Sequence, residues 1–283
     1  MFLIELKMEK LQKLSLSLII FAVLLCCNQE QQSKRELAEK RYKEAVWFTQ
    51  GSIPFQNGIV EAIEIDPTYE QAVYELSVAH LKRGMPHKWL PQYNKAVQLD
   101  SVTRIPWRGY LYLWFYRDYK KAIADFDASD ILTPNFVDAP QGLSVDAWRG
   151  IAYLGLKDYK TSIQYFDKYL KKEIEDFGEQ YVDVTAFLYQ GIAYLELKDY
   201  EKAEICFNKL IKNSYGFSAD GKYYKALILF KQNKAEEAKI MIEAALKDFN
   251  DGYFNKRPYV ETLRQLYLED LTDLESSINS NNS

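Results

Sequence analysis

Acid–base and metal chemistry at neutral pH draws first on histidine, and this chain has only His80 and His87. Neither stands in a set of partners. A zinc site wants Cys or His at paired spacings, yet Cys206 lies more than a hundred residues from either histidine. No glycine-rich phosphate cradle and no Ser/His/Asp arrangement is present. The 40 Asp and Glu residues could in principle pair for glycosidase work, but on helical segments carboxylates form solvated faces. No catalytic, metal or cofactor site is expected. The types and spacings that could do something are aromatic and basic: Trp107-Arg108-Gly109, Trp148-Arg149-Gly150 and Tyr189-Gln190-Gly191. Their chemistry is recognition, with rings that stack and guanidinium groups that pair with carboxylates.

The elements that must position these residues follow from the repetition itself. Each triplet is followed about ten residues later by Asp-Tyr (Asp118-Tyr119, Asp158-Tyr159, Asp199-Tyr200), then by a small residue (Ala122, Ser162, Ala203) and a Phe (Phe126, Phe166, Phe207). The steps are 40 and 41 residues, a period of helix-pair arrays. Ile151, Ala152 and Leu154 share one helix face, and Ile163, Phe166, Tyr169 and Leu170 share the next. Asp118, Asp158 and Asp199 are placed to cap second helices. Gly150 and Gly191 cost about 1 kcal/mol each inside a helix, which a close approach by the neighbouring helix would justify.

An aromatic, Gly, Tyr, a small residue and Phe in this order resemble the tetratricopeptide repeat. Gly150, Tyr153, Tyr159, Ser162 and Phe166, then Gly191, Tyr194, Tyr200, Ala203 and Phe207, occupy its signature positions. A later copy carries Ala226, Ala238 and Ala245, and two earlier ones carry Ile59, Ala62 and Pro67, then Tyr93 and Ala96. The resemblance implies an all-α, right-handed α-solenoid of antiparallel helix pairs, about six repeats over residues 36–250. A capping helix is expected over 251–275, where Leu263, Leu266, Leu268, Leu271 and Leu274 have apolar spacing, and a disordered tail over 276–283. Insertions are expected at Asn135 to Val145 and at Lys171 to Asp183.

Such arrays hold partner peptides in a groove lined by their first helices. Alignment on the Asp-Tyr turns puts Trp107, Arg108, Trp148, Arg149 and Tyr189 near it, with Tyr223 or Tyr224 continuing the row. The register carries one mismatch, since Trp107 precedes its Tyr by twelve residues and Trp148 by eleven. Two roles stay open for these residues, packing within the repeats or stacking on an extended partner segment. A glycan or small-ligand site on the aromatic strip is the alternative to a protein or peptide partner.

The N-terminus is a separate object. Lys10 and Lys13 precede an apolar run from Leu14 to Leu25 that ends at Cys26-Cys27. A dozen residues suit a signal peptide, whereas a membrane span needs roughly 20. Leu24-Leu25-Cys26-Cys27 resembles the lipobox of bacterial lipoproteins, which implies a signal over 1–26 and lipidation of Cys27, with Cys26 the alternative. An ordinary secretory signal is the competing reading. Residues 27–35 read as a polar tether, which would hold the array at a membrane of the bacterial envelope, facing the periplasm or the exterior. Cys206 would then be the mature chain's lone free thiol, on an apolar helix face. A net charge of −4 without a basic block argues against nucleic acid.

Overall fold

The computed structural model describes residues 29–280. The chain falls into two compact units, the first ending at Ser101 and the second beginning at Val102. The fold is an all-α solenoid type of antiparallel helix pairs closed by a C-terminal capping helix, and among the described residues no strand forms.

The first unit holds α1 over 29–45, α2 Ile53–Ile65, α3 Glu70–Lys82 and α4 Pro86–Leu99. Ala45, Phe55, Ile59, Ala62 and Ala72 form its core. Residues 29–35, read from their polarity as a tether, are instead the first turns of α1. The reason is a partner distant in sequence. Arg35 Nε donates to buried Asp66 at 2.6 Å, and its Nη2 donates to the Thr68 carbonyl at 3.0 Å. Cys26 and Cys27, the expected lipidation sites, lie outside the described residues with the rest of 1–28.

The second unit opens within α5 Ser101–Leu111, from Val102 on, and continues through a π-helical turn over Tyr112–Tyr116 to α6 Tyr119–Leu132. Next come the pairs α7 Val145–Gly155 with α8 Tyr159–Phe177, and α9 Val184–Glu196 with α10 Tyr200–Asn213. The last pair is α11 Ala219–Lys231 with α12 Ala235–Asn250, followed by α13 Leu268–Ser280. The long repeats spend their extra residues in a 3₁₀ turn at Pro140–Gly142, in the 19-residue length of α8, and in a second 3₁₀ turn at Glu179–Tyr181.

One turn recurs inside the pairs. The carboxylates of Asp118, Asp158 and Asp199 accept from the amides of Lys121, Thr161 and Lys202 at 3.2, 3.2 and 3.3 Å. The residue before each cap is left-handed: Arg117, Lys157 and Lys198 have φ of 54°, 63° and 62°. A basic side chain there ends a helix, where positive charge opposes the helix dipole and offsets part of the cost of positive φ. The helical glycines are packing sites, because a Cβ on Gly150 or Gly191 would come within 2.9 Å of the Phe166 ring or 2.6 Å of the Phe207 ring.

The one-residue mismatch between the first two Trp-Arg-Gly copies also has a structural cause. Gly109 and Gly150 face equivalent rings, Phe126 and Phe166, so the copies are in register up to that point. The π-helical turn over Tyr112–Tyr116 then absorbs one extra residue before Asp118. It also buries Trp114.

The C-terminus departs from the sequence expectation. The capping helix starts at Leu268 and runs through Ser280, so residues 276–280 are helical and 251–267 are not. Leu271, Leu274 and Ile278 form the buried stripe, packing with Leu266 on Ala226, Leu229, Ala238, Ile242 and Ala245. Pro258 inside the expected helix and left-handed Tyr259 (φ 70°) and Arg264 (φ 58°) explain why no helix forms earlier. Residues 251–267 form a hook whose bend brings Arg257 and Val260 together as an isolated antiparallel bridge. Pro258 at the second position and positive φ at the third are the marks of a type II turn.

Candidate functional site

The first helices of the second unit, α5, α7, α9 and α11, present a face rich in aromatic residues, and the hook lies in it. At its entry the Asn255 amide donates to Asp220 Oδ2 at 2.7 Å, and Asn255 Nδ2 donates to the Tyr189 hydroxyl at 3.0 Å. Arg257 follows, with its guanidinium carbon 4.5 Å from the Trp114 ring centroid, 5.0 Å from Trp148 and 5.8 Å from Tyr110. Arg257 Nη1 also donates to the Tyr110 hydroxyl at 3.0 Å. On the return limb Arg117 donates to the Glu261 carbonyl, and Arg264 Nη2 meets Glu196 at 2.5 Å. The limb then passes Ile192, Leu195, Tyr223 and Tyr224.

The rings hold one another before they hold the arginine. Tyr110 and Trp148 meet edge to face at 5.3 Å, Trp114 and Trp148 at 5.9 Å, and the Trp148 indole donates to the Pro140 carbonyl at 3.0 Å. A guanidinium placed among such faces gains from each ring quadrupole and keeps a planar fork for hydrogen bonding. Burial pushes the Tyr110 hydroxyl above the usual tyrosine range, with Arg257 opposing that rise. Tyr189 and Tyr224 are raised for the same reason, burial.

The structure separates the residues offered by the sequence. Trp148 and Tyr189 meet the hook, at 0% and 1% exposure, and Tyr223 and Tyr224 border its return limb. Trp107 is half-buried on α5, edge-on to Tyr110 at 6.1 Å. The two arginines do not serve the groove. Arg108 holds Asp125 of α6 in a two-pronged pair at 2.8 and 2.7 Å. Arg149, 1% exposed, is ringed by Asp127 at 3.0 Å, Asp130 at 2.6 Å and Asp146 at 3.0 Å. Both tie first helices to second helices, a job that an acidic residue about twenty positions away could have signalled. Tyr110, Trp114, Asn255 and Arg257 were not singled out by the sequence reading, and Asn255-Lys256-Arg257-Pro258 carries turn chemistry but no clue to its distant partners.

Cys206 lies buried on α10, its thiol 3.4 Å from Gln190 Oε1, and burial pushes it up to about 12. Among the described residues no group of His, Cys, Asp or Glu is placed to hold a metal ion.

Stacked helix pairs whose first helices line a groove define an α-helical repeat scaffold of the protein-interaction class. The sequence model of the tetratricopeptide repeat family matches residues 185–215, the pair α9 and α10. Among solved structures, PilW, a widely conserved type IV pilus biogenesis factor, is similar at 15% identity and a TM-score of 0.59, covering 87% of this chain and 98% of that one. A tetratricopeptide repeat protein from Parabacteroides merdae is similar at 18% identity and 0.51, covering 88% and 99%. A chain of the APC/C hetero-tetramer Cut9-Hcn1 is similar at 15% and 0.57 over 79% of this chain, which spans only 39% of its length. At these identities the likeness is one of fold. No curated protein matches the sequence.

Proposed function

We propose that this chain is a lipid-anchored, extracytoplasmic scaffold that holds a protein partner in an assembly of the bacterial cell envelope. The observation that carries the interaction reading is the occupied groove. Its aromatic face accepts an extended polypeptide, takes an arginine between rings, and supplies Tyr189 and Asp220 as hydrogen-bond partners for the neighbouring asparagine. The occupant is the chain's own hook, and a partner strand carrying a similarly placed arginine exchanges with it. Lipidation at Cys27, with the groove residues Trp148, Tyr189, Tyr223 and Tyr224, completes the proposal. Its envelope context is supported by the leader sequence and by the fold shared with PilW, a pilus biogenesis factor.

The exchange is tested with a fluorescent peptide of residues 252–267 added in trans to the full chain and to its Arg257→Ala variant. Binding at least tenfold tighter to the variant, whose own hook is loosened, is the expected result. Failure of the peptide to bind either form refutes a groove open to exchange. Intact mass of the membrane-extracted protein tests the anchor, and an unacylated N-terminus at or beyond Gln29 refutes it. A glycan platform is disfavoured, since Trp148 and Tyr189 present no open face on which a sugar could stack.

A further inference from the structure

Where the hook leaves α12 lies a cavity of about 300 Å³ that shares Asp220 and Asn255 with the hook's entry into the groove. Leu188 of α9, Leu210 of α10 and Phe254 give it apolar walls. Phe217 and Tyr253 stack at 4.8 Å along its lining and remain about half exposed. Asp220, only 2% exposed, is the one acidic side chain in the lining.

The bonding of Asp220 is half complete. Its Oδ2 accepts the Asn255 amide, while its buried Oδ1 has no hydrogen-bond partner. The cation nearest in sequence, Lys222, is committed to Asp248 at 2.5 Å, and Asp248 also accepts the Ser218 amide at 2.8 Å. Its own backbone amide, in the first turn of α11, offers Asp220 some relief but no counter-charge. Burial pushes its carboxyl up to about 6, so it is mostly ionised at neutral pH. A buried carboxylate with an unmade bond is costly, and a cationic N–H donor repays that cost better than a neutral one. Apolar walls suit methylenes, and a stacked ring pair suits a passing positive charge. The volume exceeds what a single bridging water requires.

We propose that this cavity is a binding site for an alkylammonium or alkylguanidinium group, the head passing the Phe217–Tyr253 pair to Asp220, whose enclosed Oδ1 turns to meet it. The chemistry is that of a lysine or arginine side chain on a partner, or of a free amine. The site does not rest on the groove reading, because small cations probe it without any partner protein.

The test is titration of the ¹⁵N-labelled full chain at pH 7.5, following the amides of Ser218, Gly252 and Asn255. The probes are n-butylammonium and n-butylguanidinium, with n-pentanol as the neutral control and acetyl-Ala-Lys-Ala-amide as the peptide form. Both cations are expected to saturate with Kd at least tenfold below that of n-pentanol. Asp220→Asn removes that preference, read as the ratio of the n-pentanol and cation Kd values, and Phe217→Ala, at an exposed position, weakens the cations severalfold. Lowering the pH to 5 protonates Asp220 and erases the preference in the parent chain. Peptide binding tenfold tighter than n-butylammonium assigns the natural ligand to a polypeptide, and equal binding assigns it to a free amine. Equal affinity for n-pentanol and the cations, or an Asp220→Asn variant that keeps the preference, overturns the proposal and leaves water as the occupant.

Discussion

Replacing Arg257 by Ala removes the contact that seats the hook. The guanidinium sits 4.5 and 5.0 Å from two indole centroids and donates at 3.0 Å to Tyr110. A cation over a ring contributes about 0.5–1 kcal/mol when exposed and about 2 when desolvated, and Arg257 is half-buried. The two closer rings together therefore supply about 2–3 kcal/mol. Its hydrogen bond, with a charged donor, adds about 1.5–3 kcal/mol. Freed rotamers of a long side chain return up to about 2 kcal/mol. The net, with that full return, is a loss of about 1.5–4 kcal/mol, or roughly ten- to a thousandfold in the ratio of seated to unseated hook. Hydrogen exchange of the amides from Tyr253 to Leu266 reads that ratio directly, and the emission of Trp114 and Trp148 reads the rings. Arg257→Lys should fall between the two, since it keeps the charge but loses the planar fork. Hook amides in the Ala variant protected within threefold of the parent would show that the arginine is an ornament on a segment held by other bonds.

Four further outcomes are expected. Asp220 titrates near 6 in the fold against 3.8 ordinarily, so between those values the folded chain holds a proton that the unfolded chain has released. Its contribution to stability is present at low pH and lost as pH rises through 6, so Asp220→Asn should stabilise by up to about 3 kcal/mol at pH 7.5 and by little near pH 4, measured by urea unfolding. Gly191→Ala drives a Cβ into the Phe207 ring and should cost about 1–3 kcal/mol in the same assay. Arg149→Ala strands Asp146, whose side chain is 5% exposed and keeps only Lys168, and should cost about 3–5 kcal/mol. The Cys206 thiol, pushed up to about 12 by burial, should resist iodoacetamide at pH 8 until the chain is unfolded.

What could be read in advance was what the chain decides locally. Asp158 caps its own helix three residues on, and Gly150 meets Phe166 within one helix pair, so period, turns and packing all leave marks at fixed short spacings. Even the irregular copy was visible as a one-residue slip, although its cause, the π-helical turn, was not. The hook was illegible for the opposite reason. The leucines from 263 to 274 keep helical spacing, but only those from Leu268 onward use it, while Leu266 packs from a loop. Arg257 draws its meaning from rings more than a hundred residues upstream. Arg108 and Arg149 looked like groove residues because guanidinium groups suit recognition, and nothing within their triplets says that Asp125, Asp127 and Asp130 already use them.

In a stacked array each pair touches only its neighbours, so stability sums over adjacent terms and the ends fray first. The seated hook breaks that rule, since Arg257 bonds Tyr110 across 147 positions and Glu261 accepts from Arg117 across 144. Closing so long a loop in an open chain costs about 4 kcal/mol of entropy before any constant term. With α6 to α12 already in place, the free segment is only the hook itself. Docking therefore belongs at the end of folding, and the earlier helices assemble by local steps with their aromatic face uncovered. During synthesis that face stays open until the hook itself has been made. The hook then binds the first pair of the second unit and ties it to the later pairs, so that the unit's melting should become a single cooperative event.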